Sequence, residues 1–302
     1  MTIYYSPTQT PGLNSDFSDV RFYDETAKGE IPYWVEKIVP GINGSQTATV
    51  WYKSGATNTI YMYFGNKNAA SVSSGKKTFE VYEDFSDGVL DTSLWTTLAG
   101  NGTITESGGE LKFSYSGAQN NDWNSGGRQG AGLFMSALPA GDFLAEVKLN
   151  DYAMTDQSFA GISAYGSDSA AYLLGRYKAS TYYSYGLQKQ DGTTVATANT
   201  NTVPLYLGIK KIGASYSFHQ SADNYNWTSV GGSYSDVPLN GIVLVGKEAG
   251  SSGVTFSMGQ FYVRKAVAVE PNPSVRADYH TAVSLCTDVW EGPYGEATAV
   301  TP

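Results

Sequence analysis

The sequence predicts an all-β protein in which a small N-terminal β-sheet module precedes a larger two-sheet sandwich. Three observations lead there. Charged residues make up only 16% of the 302 residues while glycine contributes 34 and tyrosine 23, a composition suited to short strands and turns rather than long amphipathic helices. Apolar residues recur at every second position over much of the chain, which is the strand period. Turn-forming pairs stand at Gly108-Gly109, Gly126-Gly127, Asp191-Gly192 and Asn240-Gly241, and reversals roughly every 8 to 12 residues mark a sandwich.

After an N-terminal arm (1–15), the small module (16–79) alternates through Val20 and Phe22, then Ile31, Tyr33 and Val35, then Ala48, Val50 and Tyr52, then Ile60, Met62 and Phe64. The turn segments Gly41–Ser45 and Ser54–Asn58 separate the later runs, so a meander of about four strands is expected. Between Phe79 and Trp95, acidic and glycine-bearing turns lie among the apolar anchors Phe85, Leu90 and Leu94. That stretch reads as a strand entering the second module (80–265) through a corner packed by aromatic rings.

Ten further strand-like runs follow, at Glu110–Tyr115, Gly132–Met135, Phe143–Leu149, Phe159–Tyr165, Ala171–Tyr177, Tyr183–Gln188, Leu205–Lys210, Tyr216–Gln220, Ile242–Val245 and Val254–Val263. Beyond Lys265, Ala-Val-Ala-Val-Glu-Pro-Asn-Pro reads as a linker, and residues 266–302 form a linker and C-terminal tail. Tails of this kind fray unless something holds them. Neighbouring subunits or the chain's own sheets are expected to do so, which points to self-assembly through the terminal segments.

The net charge of -9 and the lack of any Lys/Arg stripe argue against nucleic acid as a partner. Runs such as Gly241–Gly246 are far shorter than the roughly 20 residues a membrane helix needs, so no membrane insertion is expected. The N-terminus, Met1–Pro7, shows no basic region followed by an apolar stretch, so no signal peptide is expected in this chain. Cys286 is the single cysteine; it excludes an intrachain disulfide and reads as a small apolar residue or a reactive thiol.

The strings Asp16–Phe22, Pro32–Glu36, Ala48–Lys53 and Asn58–Asn66 resemble, in that order, the domain of unknown function 2341. The resemblance covers roughly 16–85 and implies a β-rich module often found beside lectin-like domains in surface and secreted proteins. The opening Glu83-Asp84-Phe85 with Leu94-Trp95, and Ser221-Ala222-Asp223-Asn224-Tyr225-Asn226-Trp227, are similar to concanavalin A-like, laminin G-like jelly rolls. The second string looks like their Ser-x-Asp-Gly-x-x-Trp hairpin, with Asn224 where Gly is usual, and Asn also reaches positive φ. This resemblance implies a jelly-roll β-sandwich with glycan recognition, structural calcium in some members and glycosidase activity in a few.

Asp84 and Asp87 are the calcium candidates. Calcium-bearing relatives often place an Asp before the terminal aromatic of the last strand, whereas Gln260 precedes Phe261 here. Hard cations want several oxygen ligands including carboxylates, so turn capping is the competing reading of both Asp residues, and no other cofactor is expected.

Glycan binding needs aromatic faces for the apolar side of sugar rings and planar polar groups for hydroxyls. Gln119–Arg128 offers Trp123 and Arg128 among Asn, Asp and Gly, and a Trp folded back as a loop anchor is the alternative. Tyr183 and Tyr185 share one side of a strand while Tyr182 takes the other; they form the second candidate, with cross-strand packing the alternative.

Catalytic patterns are missing. No strand carries Glu-x-Asp-x-x-Glu, Glu146 and Asp151 do not reproduce that spacing, and neither Ser163 nor another serine sits in Gly-x-Ser-x-Gly. Of the two histidines, His280 lies in the tail and His219 reads as a sheet or surface residue. Gly75-Lys76-Lys77-Thr78 lacks the earlier Gly of a phosphate loop. Asn43, Asn101 and Asn226 begin glycosylation triplets that matter only in an exported protein.

The reading is a non-catalytic surface, virion or appendage protein, extracellular, whose lectin-like jelly roll serves glycan recognition, adhesion or assembly. The alternatives are an accessory carbohydrate-binding module of a polysaccharide-degrading enzyme, or a glycosidase.

Overall fold

Alternation in the first eighty residues produces two small sheets rather than one meander. The computed structural model describes residues 1–8, 10, 12–53, 59–98, 102–115, 123–124, 127–128, 131–153, 159–179, 182–189, 193–198, 205–247, 254–266, 274–277 and 297–301. Two compact units emerge, Met1–Phe79 with Ala268–Pro302, and Glu80–Val267.

In the first unit, strands β1 (Thr2–Tyr5), β2 (Arg21–Asp24), β3 (Gly29–Ile31), β4 (Tyr33–Pro40), β5 (Gln46–Tyr52) and β6 (Ile60–Tyr63) precede a single helical turn, α1 (Gly75–Thr78). One sheet runs β1-β5-β4, and another pairs β6, β2 and β3. Residues 2–5, read from the sequence as part of an arm, form strand β1 because Ile3, opposite Ala48, drops into the core. Phe17, Val20, Phe22, Tyr33, Val50 and Ile60 fill that core, each contributing about 1.5–3 kcal/mol of burial. The buried Asp19 is satisfied by backbone N–H groups of Asn14 at 2.9 Å and Gly65 at 2.7 Å, and the Tyr33 hydroxyl donates to the Val20 carbonyl.

The second unit is an antiparallel sandwich. Its strands are β7 (Val81–Glu83), β8 (Thr96–Leu98), β9 (Thr103–Glu106), β10 (Leu111–Tyr115), β11 (Trp123–Asn124), β12 (Gly127–Arg128), β13 (Ala131–Met135), β14 (Phe143–Ala153), β15 (Phe159–Ser167), β16 (Ala170–Ala179), β17 (Tyr182–Lys189), β18 (Thr194–Ala198), β19 (Leu205–Ile212), β20 (Ser215–Ser221), β21 (Trp227–Tyr234), β22 (Gly241–Lys247) and β23 (Val254–Lys265). One sheet has the order β21-β20-β19-β14-β23-β10-β9, with β7 added on β23; the other runs β18-β17-β16-β15-β22-β13-β8.

Between the sheets lie Phe113, Val147, Ile162, Leu174, Phe218, Leu244 and Phe261 among others. The rings of Phe113 and Phe256 stack at 5.1 Å, and Trp95 meets Phe261 edge-on at 5.0 Å. All ten expected runs are strands. Missing from the expectation were β8, β9, β18 and β21, in which exposed polar residues dilute the alternation. Gln119–Arg128, expected as a loop, contains the two-stranded hairpin β11–β12.

The chain then returns to its first unit. Residues 266–302, expected as linker and tail, contribute β24 (Ser274–Ala277) and β25 (Ala297–Thr301), and β25 pairs with β6 to give the order β24-β25-β6-β2-β3. His280, Cys286 and Trp290 lie outside the described residues. Among those described, no helix is long and apolar enough to cross a membrane.

Candidate functional site

Pleating sorts β14 into two sides. Phe143, Ala145, Val147 and Leu149 enter the core, so Leu144, Glu146 and Lys148 belong to the outer face of the eight-stranded sheet. Cross-strand register extends that face: Glu146 stands opposite Tyr262 on β23 and Gly208 on β19, and Gly208 stands opposite His219, which faces Ser229. Two flanking rows carry Lys210 with Ser217, and Lys148 with Tyr206, Ser221 and Trp227.

At the centre is an aromatic ring laid on a glycine. A Cβ built on Gly208 would come within 3.2 Å of the Trp227 ring and 3.3 Å of the Leu144 side chain. Glycine therefore leaves the space in which the half-buried indole rests. Beside it, Glu146 is 0% exposed and is paired with Arg264 at 3.3 Å; a buried carboxylate without such a partner would be costly.

Trp227 enters the sheet from the segment Ser221–Asn226, and Asp223 organises that segment. Its carboxylate accepts from the backbone N–H groups of Tyr225 at 2.9 Å and Asn226 at 2.8 Å, from the Asn226 amide at 2.8 Å and from the Ser221 hydroxyl at 3.0 Å. Burial pushes this carboxyl up, but the four donors outweigh it and hold it at about 2. Asn224 takes φ 66° and sends its amide to the Tyr262 hydroxyl at 2.6 Å. A loop tied at both residues leaves Tyr225 74% exposed.

His219 Nε2 lies 2.8 Å from the Ser217 hydroxyl. Burial first, then the Lys210 charge, lowers its pKa, so the imidazole is neutral at pH 7. The face thus combines a half-buried indole, a neutral imidazole, hydroxyls and lysines, and the loop that leads into it carries an exposed phenol; these are the groups that hold a sugar ring by stacking and hydrogen bonds.

The residues expected to form a site are placed as follows. Trp123 and Arg128 stand directly opposite each other in the β11–β12 hairpin. On β17, Tyr183 faces Lys178 and Tyr185 faces Arg176. The side chains of these four residues lie outside the described set, as does that of Asp151. Ser163 is buried in β15, and the phosphate-loop-like string is the single turn α1, capped by Ser74.

Asp84 accepts from the N–H of Ser86 at 3.2 Å and its hydroxyl at 2.6 Å, and Asp87 accepts from the Val89 N–H at 2.9 Å. Each carboxylate caps its own turn. Among the described residues, no group of three or more acidic, His or Cys side chains is placed to hold a metal ion.

Sequence reasoning missed Tyr225 and Trp227 as site residues. The available signal was an Asp-Asn turn followed by aromatics two apart, which the hairpin resemblance absorbed as a structural motif.

No curated protein matches the chain. Among solved structures, a functionally unknown protein from Saccharomyces cerevisiae is 12% identical with a TM-score of 0.47, the overlap covering 58% of this chain and 98% of that one. A glycoside hydrolase family 43 protein from Bacillus licheniformis is 14% identical with a TM-score of 0.48, covering 76% of this chain and 53% of that one, so the chain spans about half its length. The cellulose-induced protein Cip1 is 14% identical with a TM-score of 0.42, covering 62% and 98%. Likenesses of this size carry nothing about what the chain binds. Residues 16–98 match the family described as a domain of unknown function, DUF2341, a match that runs past Phe79 and takes in the corner up to Trp95.

Proposed function

We propose that the chain is a non-catalytic glycan-binding module that works outside the cell, of the kind that accompanies a polysaccharide-degrading enzyme, in a concanavalin A-like sandwich. The observation that carries this reading is the loop in which Asp223, held by four donors, leaves Tyr225 exposed to solvent two residues before Trp227. Preorganisation matters because sugars bind weakly: a ring already fixed in place loses little conformational freedom on binding.

Affinity electrophoresis in soluble plant and microbial polysaccharides, with wild type and Tyr225→Ala, tests it. Retardation of wild type is expected, with binding about 2- to 12-fold weaker in the variant, as an aromatic contact of about 0.5–1.5 kcal/mol implies. No retardation of wild type by any polysaccharide, or equal retardation of both proteins, would overturn the proposal.

A further inference from the structure

We infer that Asn43 is a site of spontaneous chemical modification: its side-chain amide is lost through a cyclic imide formed with the backbone nitrogen of Gly44, with water as the co-reactant. The inference concerns the first unit and goes beyond the glycan-binding reading, on which it does not depend.

The sequence holds three Asn-Gly pairs, at 43–44, 101–102 and 240–241. Asn101 lies outside the described residues; the other two pairs are in opposite situations. Asn43 and Gly44 stand exposed in the turn Ile42–Gly44 between β4 and β5, with φ of 54° and 73°. That turn is closed by bonds from the Gly41 N–H to the Ser45 carbonyl at 2.7 Å and from the Ser45 N–H to the Ile42 carbonyl at 3.0 Å. Neither bond uses the Asn43 amide or the Gly44 N–H, and Ile42 beside them is 83% exposed. In the second pair the Asn240 amide donates to the Gly166 carbonyl at 2.8 Å and its backbone N–H to the Tyr165 carbonyl at 2.9 Å. Gly241 is buried in β22, walled in by the Phe134 ring and the Met135 carbonyl.

The chemistry needs a backbone nitrogen that can swing onto the side-chain carbonyl carbon. At 43–44 the nitrogen belongs to a glycine, which has no Cβ to shield it and turns readily, and both groups face water. The Gly44 nitrogen gives up its proton to hydroxide and bonds to Asn43 Cγ; the C–N bond of the side-chain amide breaks and ammonia leaves. Water then adds to one of the two imide carbonyls and reopens the ring. Opening on one side leaves Asp at position 43, which tolerates the positive φ. Opening on the other side gives isoaspartate, which routes the main chain through Cβ and adds an atom to it inside a closed turn. Either product adds one negative charge beside Ile42.

The test incubates the whole folded chain at neutral and mildly alkaline pH and follows Asn43 and Asn240 by peptide mapping that separates Asn, Asp and isoaspartate. In the folded protein Asn43 is expected to convert about 5- to 150-fold faster than Asn240, the factor set by two hydrogen bonds that must open first at Asn240. The Asn43 rate should rise with pH, and isoaspartate should be among its products. In concentrated urea the two rates should draw together, because the fold no longer separates the sites. Asn43→Gln should stay unmodified at position 43. Asn240 converting as fast as Asn43 in the folded chain, or Asn43 remaining intact while Asn240 converts, overturns the inference, as does a ratio of rates that urea leaves unchanged.

Discussion

The Asn224 amide donates to the Tyr262 hydroxyl across 2.6 Å, a bond that reaches from the tip of one loop to the last strand of the sandwich. Asn224 also holds φ 66°, a conformation that Gly adopts freely, Asn tolerates and Ala resists.

The two roles separate by mutation. Asn224→Gly keeps the backbone angle and removes the bond, and is expected to cost about 0.5–1.5 kcal/mol. Asn224→Ala loses the bond and adds about 1–2 kcal/mol of left-handed strain. Urea denaturation should rank stability as wild type, then Gly, then Ala. Two variants of equal stability would mean that the backbone angle contributes nothing.

Asp223 gives the loop a pH dependence of known sign. Its folded-state pKa, about 2, lies below the ordinary carboxylate value, so its stabilisation is complete above the unfolded pKa and is lost as pH falls through the folded one. Replacing it with Ala removes four hydrogen bonds and should cost about 1 kcal/mol at pH 7, comparable to the loss of a helix cap. Thermal unfolding of wild type and Asp223→Ala should differ at neutral pH and converge as pH is lowered from about 4 towards 2. A gap that persists unchanged at pH 2 would show that the carboxylate charge is not the source.

Glu106 runs the other way. It is 7% exposed, one oxygen accepts from the Gly88 N–H at 3.0 Å, and the other is buried without a hydrogen-bond partner. Burial, followed by the neighbouring Asp87 and Glu83 against the opposing Gly88 bond, raises its pKa. For an acid with a raised folded pKa, the penalty is absent below the unfolded value and grows as pH rises through the folded one. Glu106→Gln keeps the acceptor for Gly88 and removes the charge, so it should raise the melting temperature at pH 7–8, with the gain shrinking towards pH 4. A variant less stable than wild type at pH 8 would contradict this.

The interior of the sandwich was legible because its signal is local. In Phe143–Leu149 alternate residues enter the core, and the same holds for Ile162 and Ala164 or Leu207 and Ile209. Strands at the sheet edges bury little and carry Thr, Ser and Gly, so β8, β18 and β21 gave no period to read. The return of β25 to β6 joins residues more than 200 positions apart, and no local pattern encodes such a pairing. The site was missed for the same reason: Trp227 follows a recognisable turn, but that it rests on Gly208 is a matter of register across β19, β20 and β21.

That register yields the last prediction. Gly208 is buried in β19, and a methyl group there would press on Trp227 at 3.2 Å and Leu144 at 3.3 Å, closer than ordinary carbon contacts of about 3.5–4.0 Å. Leu144 is itself buried and has little room to retreat, so the indole must lift. Gly208→Ala is expected to cost about 1–3 kcal/mol through overpacking, and to shift tryptophan fluorescence to the red as the ring enters water. If the proposed glycan binding uses this ring, binding should fall with it, because the indole would leave its place over Gly208. Unchanged fluorescence and unchanged stability in the variant would mean that the ring does not rest on this glycine.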